Sequence, residues 1–287
     1  MDFFPSRSLI FEALDRHALD IEAMLKADVI YYYGAIDLRF KMLFIDEIES
    51  LASKNKSKKL AFFITTNGGS AEMVEIMVEI MRNFYHEVYF FVPDYAFSAG
   101  TILCMSGDKI YMNYYSSLGP IDPQVIVNGK FVSAQGYIDQ LNTIVQKSKD
   151  GTVTPVEMQM ALNINLADIN FYEQSINLTI NLLKKWLVLY KFKDWTIHSH
   201  NNIQVTEEEK VSRATEIATK LGNNSIWNSH GRHIGIDTLR NDLKLKIESI
   251  DANHDLSELT RGYHHLVNEF VMQLQTNIFI HSRESRR

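Results

Sequence analysis

Residues 60–85 read LAFFITTNGGSAEMVEIMVEIMRNFY. Leu60 to Ile64 is a short apolar run with aromatic and β-branched side chains, the composition of a buried strand. It stops at Thr66-Asn67-Gly68-Gly69-Ser70, and a helix opens at Ala71. From there to Tyr85, Met73, Ile76, Met77, Ile80 and Phe84 fall on one helical face, and Glu72, Glu75 and Glu79 on the other. The next segment repeats the unit. Val88 to Val92 is a strand ended by Pro93, a helix begins near Ser98, and Lys109 to Asn113 is a further strand. Upstream, Val29 to Tyr33 is a strand stopping at Gly34, and Asp37 to Ser53 is helical by the spacing of Phe40, Phe44, Ile48 and Leu51. Strand–helix alternation of this kind implies parallel pairing through crossover helices, hence an α/β fold.

Outside this block the pattern is helical. Ser8 to Ala27 reads as an amphipathic helix, and Pro155 to Lys185 as one long periodic helix. Thr206 and Glu209 have capping-box spacing and start a helix to Leu221, which Gly222 and Asn223 end. The lysine-rich stretch from Lys54 to Lys59 and the polar stretch from His198 to Gln204 are expected to be loops.

The chain has 287 residues, 46% hydrophobic and 22% charged, enough for one sizeable core with appended helices. A net charge of -6 argues against a nucleic-acid partner. Cys104 is the single cysteine, so no intrachain disulfide forms and a reducing compartment is expected. MDFFPSRSLIFEALDRHALDIEAML lacks the basic start and apolar run of a secretory signal. The most apolar segment, Ile176 to Tyr190, is interrupted by Lys184 and Lys185, so no transmembrane segment and a cytoplasmic location are expected.

The chemistry concentrates in Asn67-Gly68-Gly69-Ser70 and Ala96-Phe97-Ser98-Ala99-Gly100, both at strand exits. A serine becomes a useful nucleophile only when it is positioned and a base removes its proton. A sharp turn at a helix start positions it and leaves backbone N–H groups unpaired. Glycines at the neighbouring turn let backbone approach a substrate closely. Two such N–H groups can hold a developing oxyanion, worth roughly 3–4 kcal/mol per donor.

From Phe62 to Gln124 the sequence resembles the ClpP and crotonase superfamily. ITTNGGSAEMVEIM is similar to the Clp-protease strand, Gly-Gly turn and helix, and DYAFSAGTILCMSGDKIYM to its nucleophile turn and following strand. SSLGPIDPQ, together with SAG and SGD, resembles the serine dehydrogenase proteinase family most, as does the C-terminal SHGRHIGIDTLRNDLKLKIES. The resemblance implies a ClpP/crotonase-like fold of repeated units with a helical C-terminal extension. The parts would be an N-terminal helix (1–28), a catalytic domain (29–190) and the extension (191–287). It implies a serine endopeptidase acting on polypeptide, needing no cofactor or metal and working as a homo-oligomer. Ser98 would be the nucleophile, with Gly69 and Ala99 supplying the oxyanion N–H groups.

The base is less clearly marked. Clp proteases use a histidine after the fourth strand, but no histidine lies between His86 and His198. Signal-peptide peptidases use a lysine about fifty residues after the serine, in a Lys-Asp step before a proline turn. Lys147-Ser148-Lys149-Asp150 precedes Thr154-Pro155, so Lys149 is the preferred base and Lys147 the second. A lysine acts so only if burial lowers its pKa towards neutrality. Asp122 is a candidate orienting residue or a plain Asp-Pro turn, and His230 and His233 are candidates to reach the site from the C-terminal region. Two other readings stand beside the peptidase. One is a crotonase-type acyl-CoA enzyme, disfavoured by the small, exposed-turn Ser98 and by the lack of a second acidic residue near Gly69. The other is an inactive ClpP-like scaffold.

Overall fold

The computed structural model describes residues 5–54, 57–127, 129–198 and 202–285. Residues 55–56 and 199–201, inside the two expected loops, lie outside the described residues. Helix α1 (Pro5–Leu25) precedes β1 (Asp28–Gly34). A 3-10 turn (Leu38–Phe40) and α2 (Lys41–Lys54) lead to β2 (Lys59–Thr65), and α3 (Ala71–Phe84) leads to β3 (Glu87–Val92). Then come β4 (Tyr95–Ala96), α4 (Ala99–Met105), β5 (Lys109–Met112) and β6 (Ser117–Leu118). A hairpin of β7 (Gln124–Val127) and β8 (Lys130–Ser133) is followed by α5 (Ala134–Lys149), α6 (Pro155–Leu162) and α7 (Leu166–Trp186). Helix α7 runs into a π-helical turn, Leu187–Lys191. The remainder is α8 (Glu207–Gly222), α9 (Asn224–Trp227), α10 (Ile236–Asn241), β9 (Glu248–Ser249), α11 (His254–Leu274) and β10 (Ile278–His281).

The central sheet has the order β10-β1-β2-β3-β5-β9. The five inner and right-hand strands pair in parallel, as the strand–helix alternation implies, and β10 adds antiparallel to β1. Because successive strand residues point to opposite faces, each strand feeds two cores. Ile30, Tyr32, Phe62, Ile64 and Phe90 pack with the inner faces of α2, α3, α4, α7 and α8. Val29, Tyr31, Phe63, Tyr89 and Phe91 pack with α1 and α11. On that second face Phe63, Phe91 and Tyr111 stack across three strands at centroid spacings of 4.6 and 4.4 Å. Each such stack adds about 0.5–1.5 kcal/mol beyond the area it buries.

Three features differ from expectation. The long helix expected over 155–185 is two helices. Asn163 ends α6, and the Asn165 side chain accepts from Ala167 N–H to start α7 (3.0 Å). Short polar side chains that compete for backbone groups break a helix in this way. The β7–β8 hairpin and β10 were not expected, and β9 and β10 bring the last part of the chain to both sheet edges. The expected capping box at Thr206 forms, with both reciprocal bonds made.

Asp28, at the start of β1, is buried and accepts from the Tyr85 hydroxyl at 2.9 Å. Burial pushes its carboxyl up to about 6, outweighing the Tyr85 hydrogen bond that pulls it down. A carboxyl with a raised folded-state pKa adds stability below its unfolded value, and that stability is lost as pH rises through the folded value. Asp28→Asn should therefore gain stability relative to wild type as pH goes from about 4 to about 8. Denaturant titrations at both ends of that window measure it, and a difference constant with pH contradicts it.

Candidate active site

The two strand-exit turns meet at the C-terminal ends of β2 and β3, the end where parallel α/β sheets place their ligand sites. Ile36 fixes the first turn. Its N–H donates to Gly68 O (2.9 Å), and its carbonyl accepts from Ser70 N–H (2.8 Å). Gly69 lies between these bonds, and its own N–H has no acceptor among the described residues. A Cβ on Gly69 would sit 2.1 Å from Ile36 O, and φ there is +147°, so glycine is required twice over.

Ser98 ends the second turn at φ 51°, ψ −115°, a conformation that costs a non-glycine residue roughly 1–3 kcal/mol. The surroundings impose it. Phe97 N–H donates to Thr66 O (2.9 Å), Gly100 N–H to Phe97 O (2.8 Å) and Ile102 N–H to Ser98 O (3.2 Å). A Cβ on Gly68 would lie 2.9 Å from Ser98 Cβ, so the two turns touch with no side chain between them. Ala99 N–H, at the first residue of α4, also lacks an acceptor among the described residues.

Ser98, Gly69 and Ala99 line one cleft of about 840 Å³. Its walls include Ile102, Ile121, Phe131 and Leu178, which the sequence reading did not single out. His230 lines the same cleft. Its Nδ1 lies 2.8 Å from Asp122 Oδ1. Asp122 is fully buried, and its other oxygen accepts from Gln124 Nε2 at 2.9 Å. Against an ionised carboxylate, which only accepts, a neutral imidazole must donate from Nδ1, and Nε2 is then the ring's acceptor. The loop carrying His230 is anchored by Ile234, whose N–H donates to Leu118 O (3.0 Å) while its carbonyl accepts from Leu118 N–H (3.1 Å).

The lysines stand elsewhere. Lys149 is the exposed last residue of α5, and Lys147 pairs with Glu157 at 2.5 Å. Neither lines the cleft, nor does His233, which borders a separate depression with Lys220 and Trp227. Glu72 lines the cleft, where its carboxylate accepts from the Ser70 hydroxyl (2.7 Å). Among the described residues no helix is long and apolar enough to cross a membrane.

Comparison with known proteins bears on this geometry. A model of the ClpP-like SDH-type serine proteinases matches residues 15–185. An uncharacterized protein of Methanocaldococcus jannaschii is 30% identical over 90 residues, 30% of this chain and 32% of that protein. The aligned part is thus about a third of that relative's length. Among solved structures, a mutant of the 1510-N membrane-bound stomatin-specific protease aligns with a TM-score of 0.38 at 16% identity, over 66% of this chain and 77% of the other. The family match spans both strand-exit turns and Asp122, while His230 lies beyond it. The chain belongs to the ClpP-like SDH-type serine proteinases.

Proposed function

We propose that this protein is a serine endopeptidase that cleaves polypeptide through an acyl-enzyme on Ser98, with His230 as general base and Asp122 holding it. The observation that carries this reading is the shared cleft of Ser98 and His230, with a buried carboxylate on the far ring nitrogen. The Ser98 hydroxyl attacks the scissile carbonyl carbon and passes its proton to His230 Nε2. The Gly69 and Ala99 N–H groups receive the oxyanion. Asp122 keeps the ring in the accepting tautomer and stabilises the imidazolium. His230 then returns the proton to the leaving amine, and water releases the acyl group by the reverse sequence. Ile102, Ile121 and Leu178 offer an apolar wall for a substrate side chain.

A fluorophosphonate probe should label the wild-type chain at Ser98 and leave Ser98→Ala unlabelled. The crotonase-type and scaffold readings require an unlabelled wild type. Ser98→Gly removes the hydroxyl and the strain together. It should be more stable than Ser98→Ala by about 1 kcal/mol in denaturant titration, and equal stabilities would count against a strained turn.

His230→Ala should lower peptidase kcat/KM on the order of 10²–10⁴-fold, and Asp122→Asn comparably by favouring the wrong tautomer. Lys149→Ala and Lys147→Ala should stay close to wild type. Loss of activity in a lysine variant with full activity in His230→Ala would move the base to the end of α5.

We also propose a homo-oligomer. Val156, Met158, Met160, Leu162, Leu166 and Phe171 are all exposed on α6 and α7, more apolar surface than a solvated helix pair normally shows. Light scattering should give a multiple of the 33.1 kDa chain mass, and the double variant Leu162→Glu/Leu166→Glu should reduce it. A wild type at the monomer mass at micromolar concentration excludes this assembly.

A further inference from the structure

A second cavity, of about 410 Å³, opens at the other end of the sheet. Asp108 and Lys109, at the start of β5, and Glu248, at the start of β9, line it. Ser98 instead follows the exit of β3, so the two cavities are separated by the length of the parallel strands. Its volume is within the range, roughly 300–1,000 Å³, that encloses small organic ligands.

The charge of this cavity runs against that of the chain. Lys109, Lys191, Arg213, Lys244 and Lys246 line it, although the whole protein carries -6; of these, Arg213 is already paired with Glu216 and donates to Leu243 O (2.6 Å). Of the three carboxylates in its wall, Asp108 is already neutralised by Arg82 (2.9 Å) and by Lys193, and Glu248 faces Lys246 at 3.6 Å. Asp194 is the third and is exposed. Lys191 is partly buried and has no hydrogen bond or ion pair among the described residues. Removal from water lowers its ammonium to about 8, more than nearby Glu248 raises it. An anion in the cavity would satisfy this cation.

The backbone that delivers Lys191 is itself unusual. Leu187–Lys191 is a π-helical turn, a form found mostly as single turns and often at functional sites. It places the Tyr190 ring under the Arg82 guanidinium (3.7 Å) and leaves Lys191 to the cavity. Phe192 and Trp195 form an aromatic wall beside the cations. The Trp195 ring is held edge-to-face against Phe192 (5.6 Å) and His198 (5.5 Å), which fixes its plane. A fixed indole next to a cluster of cations suits a ligand with a planar base and a phosphate.

We propose that this cavity binds a nucleotide, its phosphate held by Lys191 and neighbouring cations and its base against Trp195. Nothing in the proposal depends on the peptidase assignment. Calorimetric titration of the full chain with AMP, ADP and ATP, with adenosine and with inorganic phosphate tests it. At least one nucleotide should bind, and adenosine and inorganic phosphate should each bind markedly more weakly. Lys191→Met, which keeps the stem and removes the charge, should weaken the nucleotide roughly tenfold or more. Lys191→Arg should retain much of the affinity, and Trp195→Leu should lose it without weakening inorganic phosphate. Ser98→Ala should bind as wild type does, which separates this site from the catalytic one. Thermal melting checks that each variant is folded, and if Lys191→Met is not, Trp195→Leu and the ligand series decide. No heat from any nucleotide at millimolar concentration overturns the proposal. So does inorganic phosphate binding as tightly as the nucleotides, or affinity unchanged in folded Lys191→Met and Trp195→Leu.

Discussion

Gly68 and Ser98 approach so closely that a single added β-carbon would clash with the serine Cβ, the Phe97 carbonyl and the Ala99 amide. The cleft end of the molecule depends on that contact. It brings two consecutive strand exits together as bare backbone. The N–H groups of Gly69 and Ala99, both residues of the one cleft, have no acceptor among the described residues. The Thr66–Ala96 bridge behind it holds the turns in register. Because the backbone bonds of the turn force Ser98 into a positive φ, the direction of its Cα–Cβ bond is set by the backbone.

The sheet supplies the rigidity this arrangement needs. Strands with both faces buried cannot slide by one residue without exchanging the contents of two cores. The Phe63–Phe91–Tyr111 stack ties the register of β2, β3 and β5 on one face, and Phe62 with Phe90 does so for β2 and β3 on the other. The strand exits carrying the two turns are therefore held at a fixed offset. The segment after β6 is held from α4, where Thr101 Oγ1 accepts from Gly119 N–H at 3.0 Å. Asp122 follows three residues on.

The parts of this design visible in the sequence are those written locally. Strand β2, the Gly68-Gly69 turn and α3 follow from an apolar run, two glycines and a Met/Ile face opposite glutamates. The Ser98 turn follows from the repeat of that unit. The partner of Asp122 is 108 residues away, in a polar loop whose histidines look like any exposed pair. No periodicity encodes the Leu118–Ile234 bridge that brings it in. Gln124, two residues after Asp122, was the local hint that this carboxylate has a fixed role, but Asp-Pro-Gln also reads as an ordinary turn. Lys149 had the spacing expected of a base. Spacing gives no information on whether a helix end faces a cleft, and α5 ends in water. Strand β10 is four residues of apolar sequence, too short to tell from the end of α11 by pattern alone.

The Leu118–Ile234 bridge has a consequence for how the molecule comes into being. Synthesis delivers the chain from its N-terminus, and the Ser98 turn, with its glycine neighbour, is complete long before residues 228–235 emerge. Closing that long loop is slow compared with forming the local strand–helix units. On the proposed assignment, a nascent or partly unfolded chain holds a serine with no proton acceptor. Hydrolytic competence then appears only when the last third of the polypeptide has docked, so a chain still being made has no hydrolytic activity of its own.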